Sequence, residues 1–133
     1  MKSMGLVFLL MLLAVVSNSA LAEWVKVYGN DKVVAFADPS TFHKRGNIVK
    51  ISSLFDFRAG NVLSDGDSYL SVLRETEFNC KDHLQHMVGY AIYSGSMGKG
   101  KVLENGADPQ DWKPVSQMNI AHAMWQFACA GDN

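Results

Sequence analysis

Cysteine is scarce in this chain: 133 residues carry only Cys80 and Cys129. They form no C-x-x-C pair, which excludes a thioredoxin-type redox motif. A structural zinc site needs more ligands at close spacing. Charge of one sign is also missing. Twelve Lys and Arg stand against thirteen Asp and Glu, a net charge of −1, and the basic residues are scattered. The one local cluster, His43-Lys44-Arg45, is too short for the basic stripe that DNA or RNA recognition requires. No nucleic-acid partner is expected. The chain has no internal repeat and no low-complexity segment.

The usual signatures of catalysis are absent as well. There is no G-x-S-x-G elbow and no H-E-x-x-H. Gly95-Ser96-Met97-Gly98-Lys99-Gly100 has the glycines of a phosphate cradle, but its lysine precedes the last glycine and a strand follows. Asp65 and Asp67 flank Gly66 without the rest of an EF-hand. Glu75 and Glu77 fall on the outward side of a strand and read as solubilising. No catalytic residue, metal site or cofactor is assigned, and the chain reads as non-enzymatic.

Long hydrophobic runs are confined to the start. Lys2 is followed by an apolar stretch from Gly5 to Val16, a polar break at Ser17-Asn18-Ser19, and Ala20-Leu21-Ala22. This is the layout of a cleaved secretory signal at residues 1–22. The stretch is shorter than the about 20 residues of a spanning helix. Residues 23–133 are then a single domain, periplasmic or secreted, with no transmembrane anchor after cleavage. No cysteine at the cleavage point is available for lipid attachment. In an oxidising compartment the two remaining cysteines predict a disulfide. Closing a loop of about fifty residues contributes roughly 4 kcal/mol on the chain-entropy argument.

Period-two alternation predicts strands at 24–28, 32–37, 47–57, 68–79, 87–93 and 101–104. Asp38-Pro39-Ser40-Thr41 ends the second, and 58–67 reads as a loop. Val49, Ile51, Ser53, Phe55 and Phe57 share one face. Leu70, Val72, Arg74, Thr76 and Phe78 share another, and Cys80 continues it. Ser116 to Cys129 reads as a helix, with Ser116 as N-cap, a Val115–Ile120 staple, and a stripe of Met118, Ala121, Trp125 and Ala128. Gly131 reads as its stop. The expected architecture is α+β: an antiparallel sheet of five to six strands with the C-terminal helix packed on one face.

Two further features carry functional expectations. His83 and His86 lie three apart and could share a metal with Asp82 or His122. That is the alternative reading, a periplasmic small-ligand or metal carrier. Trp24 sits near a strand start and Trp112 in a loop, where each either packs or serves as an exposed anchor for a partner.

The order of several short motifs then becomes informative: Glu23-Trp24-Val25-Lys26-Val27, Asp38-Pro39-Ser40-Thr41, Arg45-Gly46-Asn47-Ile48-Val49-Lys50 and Glu75-Thr76-Glu77-Phe78-Asn79-Cys80. Tyr93 to Gly100, Trp112-Lys113-Pro114-Val115 and the helix ending in Cys129 follow. Across residues 23–130 the chain resembles the surface-adhesin protein E-like family of exported bacterial envelope proteins. The resemblance implies an antiparallel sheet packed on a helix, a cysteine pair linking strand to helix, and a Gram-negative envelope setting. It also implies adhesion to host extracellular-matrix and plasma proteins. It carries no catalytic residue. The leading expectation is a binding module whose protein partners lie in the envelope or the host matrix. Its recognition surface would be an open sheet face or the loops 58–67 and 94–100.

Overall fold

The computed structural model describes residues 23–117 and 119–130. The export signal expected at residues 1–22, the stripe residue Met118 and the helix stop Gly131 lie outside these residues.

β1 (Val25–Gly29) and β2 (Val33–Arg45) open the sheet, followed by β3 (Ile48–Val62) and β4 (Ser68–Asn79). β5 (Leu84–Tyr93), β6 (Val102–Gly106) and the two-residue β7 (Lys113–Pro114) complete it. Strands β1 to β6 lie side by side in chain order and β7 pairs with β5, all antiparallel. The α+β expectation holds, but among the described residues the sheet has seven strands rather than five or six. β7 is too short to show a periodicity.

Two strands run past their expected ends. β2 continues through Asp38-Pro39 to Arg45, and the register shifts between Asp38 and His43. Proline lacks a ladder donor, and side chains fill the gap it leaves. The Asp38 carboxylate accepts from the Ser40 N–H at 2.9 Å and hydroxyl at 2.6 Å, and Thr41 Oγ1 accepts from the Ser52 N–H at 2.9 Å. β3 likewise continues past Phe57 to Val62, with its irregularity between Asp56 and Asn61. Segment 58–67 is therefore half strand. At the β2–β3 turn Gly46 adopts φ 59°, the left-handed geometry of a tight two-residue hairpin.

Helix α1 (Ile120–Cys129) packs on one face of the sheet. It starts later than expected. Asn119, not Ser116, is the cap, and its side chain accepts from the Ala121 N–H at 3.0 Å. Val115 cannot act as a staple, because its N–H donates to the His83 carbonyl at 2.8 Å and holds it in an extended segment. The core between helix and sheet comprises Val33, Ala35, Ala37, Val49, Ile51, Phe55 and Phe78 from the strands, and Met124, Ala128 and Cys129 from the helix. The predicted inward face of β3 is thus the observed one.

The opposite face carries a small plug. A 3-10 turn at Ser96–Gly98 folds back over Leu54 and Ser71, both fully buried. The Ser71 hydroxyl donates to the Gly95 carbonyl at 2.6 Å and accepts from the Gly98 N–H at 2.9 Å. The Asp56 carboxylate accepts from the Met97 N–H at 2.9 Å. Met97 has φ 55°, a left-handed conformation that side chains other than glycine rarely take, and this contact holds it there. The 94–100 connection is therefore a docked element, not the free recognition loop expected.

Candidate functional site

Cys80 and Cys129 form the predicted disulfide, with their Cα atoms 5.6 Å apart. It joins the residue after β4 to the last residue of α1. Near that junction two histidines flank Trp125. His83 lies 4.2 Å from Trp125, and His122 lies 6.1 Å from the same indole at an interplanar angle of 14°. Trp125 is therefore half-buried between histidines rather than submerged in the core.

His86 belongs to a different cluster. Its ring stacks on Trp112 at 3.8 Å and 19°. Its Nε2 is 2.8 Å from Glu77 Oε1 and its Nδ1 is 3.0 Å from the Gln110 carbonyl oxygen. Both nitrogens are engaged by oxygen atoms, so neither points into open space where a cation could sit. His83 and His86, the pair proposed as metal ligands, are thus assigned to separate tryptophans. Among the described residues no three His, Cys, Asp or Glu side chains converge as a metal site. Glu77 is more than a solubilising residue, since it bridges His86 and, at 3.4 Å, Arg45. Asp65 serves its turn by accepting from the Asp67 N–H at 2.9 Å.

The strap carrying Trp112 is anchored at three points. The Gln110 N–H donates to the Met87 carbonyl at 2.9 Å, its carbonyl meets His86, and β7 pairs with β5. Trp112 remains 40% exposed, so a fixed aromatic ring faces solvent.

A second feature escaped the sequence reading. α1 covers the β1–β3 side of its sheet face and leaves the β5 side open; no β5 residue except Gly89 is buried. Between the helix N-terminus and the open side lies a groove of about 340 Å³. Its apolar lining includes Phe55, Phe57, Ile120 and Met124, and Ser53, Thr76, Gln85 and Asn119 supply polar atoms. Arg74 is its only charged lining residue, and it also borders two adjoining clefts. The Arg74 guanidinium lies over the Phe55 ring, 4.4 Å from the centroid. Among the described residues no carboxylate pairs with it. Burial against the ring draws its pKa below the ordinary arginine value, and the charge interaction with Tyr69 opposes that shift. Arginine stays charged through such a shift. Phe57 and Tyr69 meet edge to face beside it, with centroids 5.9 Å apart. The signal was in the sequence: one cation interrupts the otherwise apolar or uncharged series Leu70, Val72, Thr76, Phe78.

No helix among the described residues is long and apolar enough to cross a membrane. Comparison with known proteins gives one family and one fold. No curated protein matches the chain. The model of the family described as surface-adhesin protein E matches residues 24–130. Crystal form II of Haemophilus influenzae protein E superposes with a TM-score of 0.64 at 14% identity, over 84% of this chain and 90% of that one. A second structure of Haemophilus influenzae protein E, the selenomethionine form, gives 0.63 at 14% identity, over 83% and 88%. Protein E from non-typeable Haemophilus influenzae gives 0.59 at 16% identity, over 85% and 79%. At that identity the structures establish a common fold, and the family match covers nearly the whole described chain. The chain belongs to the surface-adhesin protein E family.

Proposed function

We propose that this chain is an exported, non-enzymatic binding module of the bacterial cell envelope, and that it recognises a protein partner in the envelope or the host matrix. Residues 1–22 are its cleaved export signal, and residues 23–133 its single domain, periplasmic or secreted. The observation that carries the reading is the family match over residues 24–130.

The strap around Trp112 is the surface we assign to recognition. A tryptophan held by stacking and backbone hydrogen bonds loses little freedom when a partner covers it. Aromatic side chains of this kind are the usual anchors of protein interfaces. The metal-carrier alternative finds no support in the separated imidazoles of His83 and His86.

The test is capture by the purified, oxidised protein from envelope extract and from isolated matrix proteins, with Trp112→Ala in parallel. A specific partner lost in Trp112→Ala supports the reading. Substrate turnover abolished by a point substitution would contradict the non-enzymatic part. N-terminal sequencing of the protein from the envelope should begin at Glu23, and a retained Met1 would reject the export signal.

A further inference from the structure

We propose that the groove between the start of α1 and the open side of the sheet binds a medium-chain fatty acid, its carboxylate on Arg74 and its tail between Phe55, Phe57, Ile120 and Met124. The proposal goes beyond protein recognition at Trp112 and stands independently of it.

The size comes first. About 340 Å³ lies within the range of small-molecule sites and holds about eleven non-hydrogen atoms, at the volume one liquid water occupies. That is the scale of an eight- to ten-carbon acid. The lining gives the chemistry of the tail, because aromatic and aliphatic side chains from β3 and α1 form its walls. Its charge gives the head group. Among the described residues Arg74 is the only charged side chain in this lining, and no carboxylate forms an ion pair with it. A guanidinium fork matches a carboxylate with two parallel hydrogen bonds. One cation balances one carboxylate, whereas a doubly charged phosphate would leave a charge uncompensated against Phe55 and Phe57. The Ser53 and Thr76 hydroxyls lie beside Arg74 in register: Ser53 pairs with Arg74 across the β3–β4 ladder, and Thr76 is two residues along β4 on the same face.

The groove also has a reason to stay open. Arg74 is exposed and lies on Phe55, so a carboxylate that arrives with its own tail covers both the ring and the charge. Ligand binding then removes apolar surface from water without stranding a cation.

Calorimetric titration with decanoate and with 1-decanol tests this. Decanoate should bind saturably, one per chain. Arg74→Gln should weaken decanoate at least tenfold and leave decanol unchanged, and Arg74→Lys should fall between. Methyl NMR of the unsubstituted protein should show the Met124 signal moving with decanoate, which keeps the test decisive if Arg74→Gln folds poorly. Absence of saturable binding, an unmoved Met124 methyl, or equal decanoate affinity in Arg74→Gln would each overturn the proposal. Loss of a protein partner in Trp112→Ala would leave these results untouched, so the two readings fail separately.

Discussion

Two halves of one sheet face behave differently under the same helix. On the β1–β3 side the strands present small or branched side chains, with Ala35, Ala37 and Val49 fully buried. Alanine at those positions lets α1 approach closely, and Ala128 answers from the helix. Beyond Phe78, toward β5, the same face presents Arg74, Met87 and Tyr90, and the helix packs little against β5. Side-chain size therefore guides where the helix lands, and the disulfide ties its end to the residue after β4. The halves divide the work: one holds the fold, the other is available to solvent.

The largest way to break that contrast is to hollow the closed half. Ile51 on β3 is 1% exposed, and Ile51→Ala should cost about 2–5 kcal/mol in urea unfolding. Replacing Cys80 and Cys129 together by serine should cost roughly 4 kcal/mol, read as a lower unfolding midpoint with native circular dichroism at low temperature. Ser71 is fully buried beneath the plug on the other face, and Ser71→Ala leaves the Gly98 N–H without its acceptor. A loss of about 1–3 kcal/mol is expected, with faster hydrogen exchange confined to 94–100. On the open half the numbers should shrink. Trp112→Ala removes one half-exposed stack and should cost about 0.5–1.5 kcal/mol. Arg74→Gln removes only the contact with Phe55 and should cost about 1 kcal/mol or less. An Arg74 loss as large as that of Ile51 would erase the distinction between the halves.

The same contrast governs what was legible beforehand. β4 was read with its true limits, Ser68 to Asn79, because its alternation is unbroken and its pairing with β3 is regular from Ser71 to Asn79. The buried face of β3 and the partnership of Cys80 with Cys129 were legible for the same reason, since period and redox setting are local or compositional signals. The ends of β2 and β3 were misread where side chains replace ladder hydrogen bonds, as Asp38 and Thr41 do around Pro39. The helix start was displaced because Val115 is claimed by the His83 carbonyl, a contact 32 residues distant in the chain. Ring pairings such as His86 with Trp112 leave no periodic trace at all. The candidate groove was visible only as an oddity, one exposed arginine on the helix-facing side of β4.

The cystine bridge spans 49 positions and so encloses β5, β6, β7 and α1 within one covalent ring. The exposed stretch 107–112 lies inside that ring. A protease that cuts there opens the backbone but releases no fragment, because both pieces remain tethered through sulfur. Such a nicked molecule would separate into two bands only after a thiol reagent is added.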